Sequence, residues 1–207
     1  MVISYAITTH NEHKEIEELI GFLLKHKDPE DEIVILDDYS DQRTWRVFDR
    51  FIHDKSNNIK LVERALEGNF SNQKNFLNEQ CTGDWIVNID ADEIPHKNLI
   101  SNIKSLISAN PDIELYWVPR INTVDGLTEE HINKWKWNIN EKGWVNFPDS
   151  QQRIYKNCKS ITWQKPVHER LVGAKQDSYL PFEEIWCFYH HKKISKQEKQ
   201  NKLYASL

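Results

Sequence analysis

The first half of the chain switches regularly between two hydrophobic periods. Residues 2–8 form a nearly unbroken apolar run, the signature of a buried strand. Ile16, Leu19, Ile20, Leu23 and Leu24 then recur at helical spacing. Thr9 and Glu12 stand ahead of them at capping-box spacing, and Asp28-Pro29 marks the stop. The pattern repeats with strands predicted at 32–36, 59–62 and 85–89. Between and after them, Trp45, Phe48, Phe51 and Ile52 mark one helix, Phe76 and Leu77 lie in a second over 71–80, and Leu99, Ile100, Ile103, Leu106 and Ile107 mark a third. Alternation of this kind predicts an α/β fold, a mostly parallel central sheet with helices on both faces.

The second half has a different character. Residues 114–121 read as a strand, and 122–150 show little periodicity and read as a long, partly ordered excursion. Short strands are predicted at 152–156, 160–163 and 185–189. Ser195 and Glu198, again at capping-box spacing, would open a last helix. This gives a smaller, mixed C-terminal region. Residues 1–110 and 111–207 are expected to be two halves of one domain, itself open to being the first domain of a longer protein.

In parallel sheets, ligands sit beyond the carboxyl ends of the strands. The polar clusters 9–12, 37–41 and 90–93 all fall at that edge. Side chains alternate along a strand, so Asp90 and Asp92 share one side of a strand tip. Two carboxylates so placed repel unless a cation joins them. Oxygen ligands suit Mg²⁺ or Mn²⁺, which commonly share their shell with substrate phosphates and stabilise a departing anion. The plain alternative is a solvated acidic turn at a helix start. Asp38 reads either as a turn residue, with Ser40 or Asp41 capping the next helix, or as an acceptor for a nucleobase N–H. Asn11 and Glu12 read as helix-start residues or as ligands.

Composition narrows the classes. A net charge of −5 and pI near 6.0 argue against a nucleic-acid partner. Lys192, Lys193, Lys196, Lys199 and Lys202 read as the solvated side of the last helix, with attachment to an anionic membrane as the weaker alternative. Eight Trp residues among 207 serve packing or offer a platform for a sugar face. Cys81, Cys158 and Cys187 fit reduced thiols, which points to the cytoplasm, with peripheral contact to an acceptor-bearing membrane left open. No apolar run is long enough to span a bilayer.

Three segments, AITTHNE (6–12), VILDDYSD (34–41) and GDWIVNIDADE (83–93), resemble the inverting family 2 glycosyltransferases of the GT-A, Rossmann-like fold. QRIYKN (152–157), WQKPVHE (163–169) and YHH (189–191) extend the likeness to the subgroup containing lipopolysaccharide-core glucosyltransferases. The resemblance implies a UDP-, dTDP- or GDP-sugar donor and a glycan or glycolipid acceptor. It places Thr8, Asn11 and Glu12 in the nucleotide pocket, Asp38 on the base, and Lys74 near the base or diphosphate, where relatives often carry Arg. Tyr39 stands where Gly is frequent. Asp90 would lie by the ribose and metal, and Asp92 would ligate the metal. An inverting transfer also needs a group that takes the acceptor proton. Glu169 is the first candidate, Asp149 the second and Glu93 the third. His168, His190 or His191 would complete the metal shell or bind phosphate, and Arg153 would contact the diphosphate or acceptor. Three other readings compete: a non-catalytic glycan-binding module, a sugar nucleotidyltransferase and an aspartyl phosphatase. The nucleotidyltransferase should carry a Gly-rich loop where 9–12 has no glycine.

Overall fold

The computed structural model describes residues 1–198. Its first half runs β1 (Ile3–Thr9), α1 (His13–His26), β2 (Glu32–Asp37), α2 (Gln42–Ile52), β3 (Ile59–Glu63), α3 (Phe70–Gln80), β4 (Trp85–Asp90), β5 (Glu93–Pro95) and α4 (Lys97–Ala109). Then come β6 (Leu115–Val118), β7 (Arg120–Asp125), α5 (Glu129–Trp135), β8 (Gln151–Lys156), β9 (Thr162–Gln164), β10 (Arg170–Val172), β11 (Asp177–Tyr179) and β12 (Phe188–Lys193).

Seven strands form the main sheet in the order β11-β6-β8-β4-β1-β2-β3. β8 runs antiparallel to both its neighbours, and the other pairings are parallel. The sheet draws on both halves of the chain. Period-two alternation sorts its side chains into two cores. Ile3, Tyr5 and Ile7 of β1 face one side with Ile33, Ile35, Val87 and Ile89, under α1, α2 and α4. Ala6, Val34, Leu36 and Ile86 face the other, under Leu77 of α3 and the β9–β10 hairpin.

Five local expectations fail. Thr9 does not cap α1: it is the last residue of β1, in register with Asp37, and the N-cap is Glu12, with no side-chain cap bond. The strand expected at 114–121 is two strands in different sheets. Pro119, which has no N–H to donate, separates Val118 of β6 from Arg120 of β7. The excursion at 122–150 is ordered: it contains most of β7, α5 with a Thr128–His131 capping box, and a bridge pairing Asn122 with Val145. The strand expected at 185–189 is a 3-10 turn (Glu184–Trp186) followed by β12. β12 lies between β5 and β7 in a separate three-stranded sheet. The final helix starts at Ile194, so Ser195 lies inside it; Lys199 and Lys202 fall outside the described residues. Cys81, Cys158 and Cys187 are free thiols. Among the described residues, no helix is long and apolar enough to cross a membrane.

Candidate active site at the strand tips

The carboxyl ends of β1, β2 and β4 stand level, with Thr8 in register with both Leu36 and Asp90. Over these tips opens a cleft of about 1040 Å³. Its walls include Thr8, Glu12, Asp38, Lys74, Asp90, Asp92, Asp149, Arg153, His168, Glu169 and His190, from seven separate stretches of sequence. Asn11 does not line it. With φ at 58°, Asn11 braces two loops: its amide oxygen accepts from Asp41 N at 2.7 Å, and its own N–H donates to Ser40 Oγ at 2.8 Å. Asp41 caps α2 by accepting from Thr44 N. His191 also lies outside the cleft lining, bonded to Thr123 and Asp125. Asp38 lines the cleft while accepting the Leu66 N–H at 3.0 Å.

The acidic turn after β4 divides its carboxylates between two kinds of partner. Asp90 faces protein cations: Arg153 Nη2 lies 2.6 Å from Oδ2, and Lys74 Nζ lies 3.7 Å from Oδ1. Glu93, fully buried in β5, accepts from Arg153 at 2.6 Å and Arg120 at 3.0 Å through one oxygen. Its second oxygen takes the Asp90 N–H at 3.2 Å. Burial opposes ionisation of Asp90, but the charges of Arg153 and Lys74 outweigh it and hold that carboxyl far below its usual range. Arg153 is only 4% exposed, so it is a buried member of this network and no surface ion pair.

Asp92 points elsewhere. Its Oδ2 lies 3.5 Å from His190 Nε2 and 3.0 Å from Lys196 Nζ. Burial again opposes its charge, and again loses, here to the His190 hydrogen bond and the nearby cations. His190 is anchored through Nδ1 to Asn122 Oδ1 at 2.7 Å, which orients the ring. Lys196 also pairs with Glu12 Oε1 at 2.8 Å. Burial pushes the Glu12 carboxyl up despite that lysine. The expectation that Lys196 belongs to a solvated helix face is therefore wrong: its ammonium reaches into the cleft.

On the opposite wall, the loop between β9 and β10 carries His168, at φ 55°, and Glu169. The loop is pinned to α3 by Phe70 N donating to Pro166 O at 2.9 Å. Glu169 Oε1 accepts from Lys74 at 2.7 Å, and the lysine sits 4.6 Å over the Trp163 ring. Asp149 is more heavily engaged. One oxygen takes Arg120 Nε, Arg120 Nη2 and Asn122 Nδ2, and the other takes Gln151.

Arg120, Asn122 and Lys196 escaped the sequence reading. The signal for the first two was present but weak, as polar residues immediately past a proline in an otherwise apolar run. Lys196 carried none, because its partners lie 104 and 184 positions away.

The residues present suit a divalent cation in part. Asp92 and His190 offer an oxygen and an imidazole nitrogen 3.5 Å apart at the cleft wall, a mixed pair that favours Mn²⁺ over Mg²⁺. Among the described residues, no three His, Cys, Asp or Glu side chains group to hold an ion by themselves. Ligand oxygens would have to complete the shell.

A sequence model of glycosyl transferase family 2 matches residues 4–170. The chain belongs to that family. As a family 2 glycosyltransferase it is 34% identical over 107 residues to an uncharacterized glycosyltransferase of Rickettsia bellii, covering 52% of this chain and 33% of the relative. It is 24% identical over 102 residues to glycosyltransferase GlyG of Streptococcus pneumoniae, covering 49% and 34%. The matched stretches thus span about a third of those relatives. Among solved structures, TarS of S. aureus aligns with a TM-score of 0.65 at 17% identity, over 92% of this chain and 37% of that one. TarS 1–349 in complex with UDP-GlcNAc gives 0.62 at 17% identity, over 93% and 59%. Mannosyltransferase PcManGT from Pyrobaculum calidifontis, in complex with GDP-Man and Mn²⁺, gives 0.50 at 22% identity, over 57% and 35%. At such identities the likeness is one of fold, the α/β arrangement of GT-A glycosyltransferases. None of these relatives is named for lipopolysaccharide-core synthesis, so family membership stands without that subgroup.

Proposed function

We propose that the chain transfers a sugar from a nucleotide-diphosphate sugar to a hydroxyl of a glycan or glycolipid, with inversion and with a divalent cation at Asp92 and His190. One observation carries the reading: a carboxylate–imidazole pair at the tip of β4 faces the same cleft as a separate carboxylate, Glu169, on another wall. The nucleotide would lie over β1 and β2, against Thr8 and Asp38. UDP-GlcNAc bound to TarS and GDP-Man bound with Mn²⁺ to PcManGT support this donor class. A bound cation would neutralise charge gathering on the departing diphosphate.

The remaining roles belong to side chains. Arg153 and Lys74 fix Asp90, and their positive charge borders the space where the diphosphate would sit. Glu169 takes the base role: Lys74 holds one carboxylate oxygen, and the other is left for an acceptor hydroxyl. Asp149 suits this role less, since both oxygens are bonded within the chain, and Glu93 is sealed from the cleft.

A thermal-shift panel of UDP, dTDP and GDP, each with and without Mn²⁺, tests the reading. One nucleotide at a hundred times its Kd should add about 2.7 kcal/mol of stability, and more with Mn²⁺ than without. Asp92→Ala should remove the Mn²⁺ increment. No stabilisation by any nucleotide under either condition would refute the assignment.

A further inference from the structure

We infer that Lys196 is a resident cation of the donor site, and that a divalent ion reaches Asp92 only by displacing it. The inference rests on the reading of Asp92 and His190 as cation ligands and adds a competitor to them.

Glu12, after β1, and Asp92, after the neighbouring strand β4, flank one ammonium with side-chain exposures of 21% and 15%. Two carboxylates so screened from water need a positive charge between them. Lys196 supplies it, with Nζ 2.8 Å from Glu12 Oε1 and 3.0 Å from Asp92 Oδ2. That Asp92 oxygen is also the one His190 Nε2 approaches at 3.5 Å. An ion bound to it at about 2.1 Å would lie within roughly 5 Å of the ammonium, and the two positive charges would repel. Both cannot hold the oxygen together.

Lys196 is well placed to give way. It sits on the helix that opens at Ile194, directly after β12, the strand that carries His190. Its flexible four-carbon stem lets the ammonium leave while β12, hydrogen-bonded on both sides, stays fixed. The displaced charge remains at the cleft, where the oxygens of a nucleotide diphosphate would receive it. In the free chain one ammonium thereby serves two carboxylates, and loading the cation exchanges one positive partner of Asp92 for another.

The test is titration of the full chain with Mn²⁺ alone, without nucleotide, followed by calorimetry or by loss of the free-ion electron paramagnetic resonance signal. Lys196→Met, which keeps the stem and removes the charge, should bind Mn²⁺ roughly 5- to 100-fold more tightly than the parent, the usual range for coupled sites. Lys196→Arg, which keeps the charge, should stay near the parent value. Equal or weaker Mn²⁺ affinity in Lys196→Met would overturn the inference. Asp92→Asn separates the two claims. Binding lost in Asp92→Asn but unchanged in Lys196→Met defeats the competition alone, whereas binding retained in Asp92→Asn, or seen in no variant, defeats the ligand assignment as well.

Discussion

Lys74 donates to Glu169 at 2.7 Å, joining α3 to the loop before β10. The same ammonium stands 3.7 Å from Asp90. A single buried cation thus touches the carboxylate turn on one side of the cleft and the candidate base on the other. Glu169→Gln keeps the shape and a hydrogen-bond acceptor but cannot take a proton. Turnover should fall roughly 10²- to 10⁴-fold, with donor affinity largely retained. Single-turnover kinetics beside nucleotide-binding isotherms would separate the two, and parental turnover would remove Glu169 from the mechanism.

Glu93 carries structural weight. It is fully buried between Arg153 and Arg120, so Glu93→Ala takes one carboxylate partner from each guanidinium, and Arg153, 4% exposed, has little water to replace it. Removing one partner of a buried ion pair costs about 3–5 kcal/mol. Urea unfolding should show a loss of that size, and a change below about 1 kcal/mol would show that the arginines find other partners.

Gly173 follows β10 at φ 93°, and a Cβ there would lie 1.8 Å from the Ser160 carbonyl oxygen. Both the conformation and the close backbone approach demand glycine. Gly173→Ala is expected to cost about 2–4 kcal/mol. It should also depress turnover, because the β9–β10 hairpin it disturbs holds Glu169. Parental stability in a melting experiment would contradict this.

Burial, with the nearby Glu32 charge, raises the Cys81 thiol from 9.0 to about 12, and burial raises Cys187 likewise. The folded chain therefore keeps protons that the unfolded chain releases in alkali. This contribution is complete below the ordinary thiol pKa and drains away as pH climbs toward about 12. Unfolding free energy should decline from about pH 9 toward about pH 12, and Cys81→Ala should flatten the slope. An identical slope in the variant would exclude the thiol as a source.

The first half of the chain was legible because its signals are local. A strand such as 85–89 or a helix such as the one holding Leu99 and Ile103 announces itself within a dozen residues. The acidic turn was visible for the same reason. What stayed hidden depends on distance along the chain. The partner of Asp92, His190, is 98 positions away, and β12 was misplaced because its three-residue partner β5 is too short to leave a pattern. Pro119 hid in a run whose hydrophobicity continues across it. The lysine run misled for a related reason: charge spacing reports which residues share a helix face, and only tertiary packing decides whether that face meets water.

β12 is flanked by β5 and β7, and His190 is in register with Glu93 on one side and Asn122 on the other. The imidazole, the buried glutamate and the asparagine that orients the ring are consequently mounted on one stiff slab of backbone. A disturbance of Asn122 at its far edge arrives at the Asp92 tip without needing any loop to relay it. Substitutions along β7, remote in sequence from the acidic turn, should therefore register in cation affinity before they register anywhere else.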